Sequence, residues 1–177
     1  AVVKAYAYGS DSVAIAKHLQ ELGTDYFAVA YVNEGITLRE GGITAPILVL
    51  HPQKVHFTSL IEHRLEPSIY SQTILTDFIA TANAMSIVDY PVHLKFNTGL
   101  NRLGFSADEL PIIASLVEQQ KAIKIVAVLS HLAATEDHDE RAFTNLQLQR
   151  FKNICQQVDQ LFKDKPLKHV LNTSGII

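Results

Sequence analysis

The sequence has few of the features that mark secreted, membrane or nucleic-acid-binding proteins. Its single cysteine, Cys155, cannot form a disulfide within the chain, which fits a reducing compartment such as the cytoplasm. No apolar run approaches the length of a membrane span, and no signal peptide is visible. The net charge of -3 implies no broad basic surface for nucleic acid. Neither a dinucleotide-binding glycine fingerprint nor a P-loop is present, which removes the commonest reasons to expect an open nucleotide-binding sheet.

The composition is that of a soluble globular domain. Hydrophobic residues make up 47% of the 177 residues and charged residues 19%, so one domain with a sizeable core is expected. The chain starts without methionine and within a strand-like segment, from which we expect a piece of a longer protein.

Strand-like and helix-like segments alternate along the whole chain. Asp11, Asn33, Ser71 and Ser106 are predicted to cap helices, and a long helix is predicted over residues 140–162. Seven strands are predicted, at the N-terminus and over residues 26–31, 46–50, 65–69, 92–97, 124–129 and 167–171. Repeated strand–helix units predict parallel strands, and this pattern fits both an open doubly wound sheet and a TIM-type barrel.

The strand over residues 92–97 alternates clearly between two faces. Its apolar residues 92, 94 and 96 share one face, while His93, Lys95 and Asn97 share the other. In a barrel surrounded by helices, we expect the apolar face to point outward and the polar face to line the interior, where active-site groups lie.

Lys4 follows a short run of small apolar residues at the N-terminus and precedes a tyrosine-rich and glycine-containing turn. A lysine held in a poorly solvated place has a depressed pKa and can act as a nucleophile. The alternative is a lysine at a strand end whose amine reaches water. Residue type and spacing alone leave both interpretations open.

Four motifs resemble those of the alanine racemases. Residues 3–9 (VKAYAYG) resemble the segment that carries the cofactor-binding lysine of that family, and residues 93–105 (HLKFNTGLNRLGF) resemble its second signature. Residues 130–133 (SHLA) and 172–174 (NTS) resemble the third and the fourth. The matches come in family order and spread over nearly the whole chain.

The resemblance implies a fold, a cofactor and a reaction. The fold is a TIM-type (β/α)8 barrel, here incomplete with about seven strands, so that residues 1–177 form a cofactor-binding barrel domain truncated at both ends, without the C-terminal β domain of the family. The cofactor is pyridoxal 5'-phosphate, no metal is implied, and the reaction interconverts L-alanine and D-alanine for peptidoglycan synthesis. Because strand ends of such barrels carry the catalytic groups, each motif stands where a site residue is expected.

The resemblance also assigns roles to the catalytic residues. Lys4 would bind the cofactor covalently and exchange the substrate proton on the D face, and Tyr8 would hydrogen-bond the phosphate. Arg102, in a loop between two glycines, would contact the cofactor ring oxygen near the substrate carboxylate. His131 would pack on the cofactor ring. Lys95 matches a family lysine that is often carbamylated, a change that would turn a cation into an anion beside Arg102.

The fourth motif is expected to bind the cofactor phosphate. Asn172 and Thr173 match an asparagine–serine pair of the family; threonine keeps the hydroxyl, and Ser174 is an alternative donor. Three positions depart from the family pattern: Tyr6 replaces a usual asparagine, residues 10–11 (SD) replace a common glycine–histidine pair, and Leu100 replaces a usual methionine. None of these changes removes a group of known chemical role.

Other interpretations of the sequence remain. A related family of single-domain barrels carries pyridoxal phosphate without catalysis, and a barrel fragment can also be kept only for assembly. Five side chains also offer an alternative interpretation as metal ligands, although no regular ligand spacing connects them: His131, Glu136, Asp137, His138 and Asp139.

The second base of the family is a tyrosine of the partner subunit's β domain, which lies outside these residues. We therefore expect a homodimer with a shared active site in the full-length protein, and no useful racemase activity from the 177 residues alone.

Overall fold

A computed structural model describes residues 1–176 of the protein. Its centre is one parallel sheet whose six strands lie side by side in the order in which they occur in the chain. The strands are β1 (Phe27–Val29), β2 (Ile47–Val49), β3 (Glu66–Ile69), β4 (Tyr90–Lys95), β5 (Ile123–Leu129) and β6 (Leu167–His169). Sequential order is the order of a barrel, whereas doubly wound sheets reverse direction at a switch point. The architecture is therefore α/β, with a half-barrel of six strands.

Helices connect the strands and cover the outer face of the sheet. They are α1 (Lys4–Gly9), α2 (Ser12–Glu21), α3 (Val32–Glu40), α4 (Phe57–Glu62), α5 (Gln72–Ala84), α6 (Leu110–Glu118), α7 (Arg141–Leu161) and α8 (Thr173–Ile176). Short 3-10 turns at Lys54–His56 and Ala107–Glu109 lead into α4 and α6. Within the described residues, no helix has both the length and the apolar character needed to cross a membrane.

The prediction of seven strands is wrong, because the N-terminal segment pairs only through an isolated bridge between Val2 and Ala28. The Val3 amide donates to the Ala28 carbonyl at 2.9 Å, and the Ala28 amide donates to the Ala1 carbonyl at 2.8 Å. The backbone has already left the extended conformation at Val3, whose ψ is 24°, so the pairing ends after one bridge.

Three of the four predicted helix caps are confirmed. The Asp11 carboxylate accepts hydrogen bonds from the amides of residues 13 and 14, and the Ser71 hydroxyl accepts one from the amide of residue 74. Ser106 forms a capping box with Glu109, whose carboxylate accepts from the Ser106 amide at 2.8 Å. The predicted Asn33 cap is wrong, because α3 already begins at Val32, one residue before Asn33.

Strand β4 shows the predicted alternation between its two faces. Val92, Leu94 and Phe96 belong to the hydrophobic core that the sheet shares with the helices. His93 lines a cleft of about 350 Å³ between the two edges of the sheet, and Lys95 is 5% exposed at the strand end. The strand thus buries an apolar face outward and carries polar groups inward.

Candidate functional site

Lys4 lies where the N-terminal segment ends, at the start of a turn with unusual geometry. Residues 5 to 8 of α1 all have left-handed backbone angles, with φ of 51° at Ala5, 54° at Tyr6, 49° at Ala7 and 62° at Tyr8. For residues other than glycine this conformation costs about 1–2 kcal/mol each and normally occurs singly. A run of four such residues directly after a lysine indicates that the turn is held in place by its surroundings.

The loop after β4 presents Arg102 at the carboxyl end of the sheet. The Asn97 side chain accepts hydrogen bonds from the amides of Gly99 and Asn101, both at 3.0 Å. Gly104 has φ of +137°, and a Cβ there would lie 2.6 Å from the Asn97 backbone nitrogen. Only glycine therefore fits where the loop returns to its own strand, and this closes the loop around the exposed Arg102 side chain.

A buried network joins this loop to the third motif. The hydroxyls of Thr98 and Ser130 lie 2.8 Å apart, and Ser130 donates to the Phe96 carbonyl at 2.8 Å. Gln147, a fully buried residue of α7, accepts from the Ala133 amide at 2.9 Å and donates to the His131 carbonyl at 3.2 Å. These contacts hold the backbone at His131 in a fixed position relative to the loop that carries Arg102.

Four of the predicted site residues lie close enough together to interact electrostatically: Lys4, Lys95, Arg102 and His131. Burial, together with the positive charges of Arg102 and Lys4, lowers the pKa of Lys95. Partial desolvation and the charges of Arg102, Lys95 and Lys4 likewise lower the pKa of His131. Within residues 1–176 none of the three cations forms an ion pair with a carboxylate. The carboxyl end of the sheet therefore carries a concentrated positive charge.

His51 belongs to this neighbourhood and was missed from the sequence. It follows β2, its ring lies 6.1 Å from those of both Tyr31 and Tyr70, and desolvation followed by the charges of Lys95, Arg102 and Lys4 lowers its pKa. Its position directly after a predicted strand was the available signal, since strand ends carry the site in barrels. We call Lys4, His51, Lys95, Arg102 and His131 the rim cluster.

The fourth motif follows β6 and is tied to the loop after β5. The Asn172 side-chain oxygen accepts hydrogen bonds from the Thr135 hydroxyl at 2.7 Å and from the Gly175 amide at 3.0 Å. Thr173 and Ser174 are the first, exposed residues of α8. Their hydroxyls are free of hydrogen bonds to residues 1–176 and are open to a ligand.

Two further predictions concern Tyr8 and the alternative metal site. Tyr8 is 70% exposed on the left-handed turn, and its hydroxyl forms no hydrogen bond within residues 1–176. Among the same residues, no group of three or more histidine, cysteine, aspartate or glutamate side chains is arranged to hold a metal ion. The acidic segment after His131 is exposed over residues 136–140.

The sheet and the rim cluster define a class of protein: a parallel α/β half-barrel with a lysine and other cations gathered at the strand ends. The model of the alanine racemase N-terminal domain matches residues 1–177, and the chain belongs to this family.

Relatives in sequence and in structure agree with this family. The alanine racemase of Clostridium tetani is 35% identical over 181 residues and that of Thermodesulfovibrio yellowstonii is 34% identical over 176 residues. Alignment covers 100% and 99% of this chain, respectively, but 46% of each relative, so the chain spans about half of their length. The structure of Clostridium difficile alanine racemase in complex with cycloserine superposes with a TM-score of 0.92 at 30% identity, over 99% of this chain and 48% of that one.

Proposed function

We propose that the protein is a pyridoxal 5'-phosphate-dependent alanine racemase, in which these residues bind the cofactor and supply one of two bases. The observation that carries the proposal is the rim cluster. Within residues 1–176, Lys4, Lys95 and Arg102 lie without carboxylate partners at the strand ends. The chain belongs to the alanine racemase N-terminal domain family, and its relatives are alanine racemases.

The groups at the rim fit this cofactor. Pyridoxal phosphate carries a phosphate, a phenolic oxygen and an aldehyde, and needs cations, hydroxyl donors and one amine. The rim supplies Arg102 for an oxygen anion, Lys4 for the aldehyde, and the hydroxyls of Thr173 and Ser174 beside Asn172 for the phosphate. Tyr8 adds a further hydroxyl that is free of other hydrogen bonds within the described residues. His131 presents a flat, uncharged ring in the same neighbourhood, because its lowered pKa favours the neutral form.

When bound, the cofactor withdraws electrons from an attached amino acid and acidifies its α-proton. On one face of the α-carbon, Lys4 would take the proton from D-alanine, or donate a proton after a base on the opposite face has taken the one from L-alanine. Arg102 holds the substrate carboxylate or the cofactor oxygen with a planar pair of donors. A second base on the opposite face completes a racemisation, and we place it on a partner subunit of a homodimer.

Lys95 is proposed to carry a carbamate. It is 5% exposed, and its neutral amine is favoured by burial and by Arg102 and Lys4. Addition of the neutral amine to carbon dioxide forms an N–C bond, releases one proton and gives an N-carboxylate. Starting from the ammonium form, two protons are released and an anion replaces a buried cation. Bicarbonate enriched in 13C should then give a carbamate NMR signal in the full-length gene product. That signal should be lost in Lys95→Gln, and its absence from the unmodified protein would contradict the assignment.

The test of the function is enzymatic and chemical. The full-length gene product, loaded with pyridoxal phosphate, should convert L-alanine to D-alanine in a coupled D-alanine assay. Borohydride reduction and peptide mapping should place the pyridoxyl group on Lys4. Label on another lysine would refute the site, and a labelled protein without racemase activity would favour a non-catalytic carrier. Residues 1–177 alone should catalyse no measurable racemisation of alanine, because the second base is missing.

A further inference from the structure

The left-handed turn that carries Lys4 requires an explanation outside its own sequence. Hydrogen bonds join it to the residues on either side, from the Ala7 amide to the Val3 carbonyl at 3.1 Å and from the Ser10 amide to the Tyr6 carbonyl at 2.6 Å. No glycine stands at any of the four left-handed positions, residues 5 to 8. Alanine and tyrosine do not favour this conformation, so the turn must be supported from elsewhere in the fold.

Glu34 supplies that support from helix α3. One carboxylate oxygen, Oε1, accepts a hydrogen bond from the Ala5 amide at 2.7 Å, across 29 positions of sequence. The other oxygen, Oε2, accepts from the amides of Ala30 at 2.7 Å and Tyr31 at 3.0 Å. Within residues 1–176 the bond to Ala5 is the only side-chain hydrogen bond that reaches residues 5 to 8 from another element.

The location of Glu34 suits this task. It lies in the first turn of α3, where the helix dipole stabilises a negative charge. Its two oxygens accept three hydrogen bonds, and bonds to an ionised acceptor are stronger than those between neutral groups. One carboxylate therefore ties the amide next to Lys4 to the end of β1 and the start of α3.

We propose that Glu34 is a positioning residue that holds the left-handed turn and thereby sets the direction of the Lys4 side chain. The proposal deepens the function given above and rests on Lys4 being the residue that binds the cofactor. Glu34 itself touches neither cofactor nor substrate in this scheme. It acts through the Ala5 amide, one residue from the reactive lysine.

Glu34→Gln tests the clamp with little change of shape. The glutamine amide has one accepting oxygen, and its NH2 group faces amide donors with which it cannot bond. Amide hydrogen exchange by NMR on the cofactor-free full-length gene product should show at least roughly tenfold faster exchange at Ala5. Glu40→Gln, at the exposed end of the same helix, is the matched control and should leave this rate unchanged. An unchanged rate in Glu34→Gln refutes the clamp.

Cofactor affinity links the clamp to Lys4. Glu34→Gln should weaken pyridoxal phosphate binding roughly tenfold, measured by titrating the borohydride-fixed label on the Lys4 peptide. Unaltered affinity, with faster exchange at Ala5, would show that the clamp does not position the lysine and would overturn the proposal.

Glycine rescue distinguishes the clamp from a general loss of stability. Ala5→Gly and Ala7→Gly remove the penalty for left-handed angles, and in the Glu34→Gln background they should restore the affinity by roughly fivefold. Ala14→Gly and Ala80→Gly, at exposed positions of the right-handed helices α2 and α5, are the control and should restore nothing. Equal rescue by both pairs, or by neither, would contradict the proposal.

The two hypotheses fail in different ways. If the unmodified protein takes no label on Lys4, the proposed cofactor site is wrong and the positioning role falls with it, whatever the exchange at Ala5. If the unmodified protein is labelled on Lys4 and Glu34→Gln is labelled with the same affinity, only the role of Glu34 is wrong.

Discussion

The two ends of the sheet differ in whether their charged side chains have partners. At the carboxyl end, the rim cluster brings Lys4, Lys95 and Arg102 together, and none of them pairs with a carboxylate within residues 1–176. At the amino end, Glu66 accepts hydrogen bonds from the Tyr26 hydroxyl and from His93 Nε2, the latter at 2.8 Å. We call Tyr26, Glu66 and His93 the base network.

The difference separates a binding function from a stabilising one. Unpaired cations gathered near a buried lysine cost free energy, and a ligand anion offsets that cost. The base network instead satisfies its own carboxylate, with burial and Glu66 both raising the pKa of Tyr26, so that the phenol stays protonated and donates. Substitutions in the rim cluster should therefore alter ligand binding and the rate of the reaction, whereas substitutions in the base network should alter the free energy of unfolding.

The largest expected effect is that of Lys4→Ala. Without the amine, the cofactor has no covalent attachment and the substrate loses a base, so kcat should fall by at least about a thousandfold. Borohydride reduction should leave the N-terminal peptide unlabelled. Lys17→Ala, an exposed lysine of α2, is the control and should keep both label and rate. Racemase activity retained in Lys4→Ala would remove the lysine from the mechanism.

Arg102→Lys should have the next largest effect. The substitution keeps the positive charge of the rim but loses the planar pair of donors. The turnover rate should fall by roughly tenfold or more, which corresponds to about 1.4 kcal/mol or more at the transition state. Arg141→Lys, at the exposed start of α7, is the matched control. Unchanged turnover would mean that Arg102 is only a surface residue.

The location of most rim-cluster residues could be predicted, because it depends on their position within a strand–helix unit. Lys4, Lys95, Arg102 and His131 stand at or just after strand ends, so alternation and motif order were enough to predict that they share one end of the sheet. In the structure, burial and the charges of Arg102 and Lys4 lower the pKa of Lys95, and desolvation and the charges of Arg102, Lys95 and Lys4 lower that of His131. Their roles with cofactor and substrate remain proposals.

Other features depend on contacts between distant residues and could not be predicted. The left-handed turn contradicts the local preference of alanine and tyrosine, and it depends on Glu34, a residue 29 positions from Ala5. This turn follows directly on the single bridge of the N-terminal segment, so the first predicted strand does not form and residues 1–176 contain six strands. The base network joins three separate strands or strand ends. Alternation predicts that His93 faces inward, but no local pattern marks Tyr26 and Glu66 as its partners.

Glu66→Gln tests the other side of the comparison. Glutamine cannot accept from Tyr26 and His93 as a carboxylate does, and the free energy of unfolding should fall by about 1 kcal/mol in chemical denaturation. Affinity for pyridoxal phosphate should stay within about twofold, because the network lies at the opposite end from the rim cluster. Glu62→Gln, an exposed neighbour at the end of α4, should change neither quantity. Loss of cofactor affinity without loss of stability would break the division between the two ends.

The smallest expected effect is a pH dependence at the edge of the base network. The His169 ring packs edge-on against His93, with ring centroids 6.0 Å apart, and although part of the residue reaches solvent, desolvation and the charge of His93 lower the pKa of His169 to about 4. An unfolded histidine has a pKa of about 6.5, so between these values the unfolded state binds a proton that the folded state does not. Stability should therefore rise with pH across this window and level off above it.

In His169→Asn the dependence of stability on pH should be shallower, by less than about 1 kcal/mol between pH 4 and 7, because solvent screens the partly open site. Denaturation curves at several pH values measure the difference, with His138→Asn in an exposed loop as the control. If stability rose more steeply with pH in His169→Asn than in the unmodified protein, the histidine would gain a proton on folding, and the predicted sign of its pH dependence would be wrong.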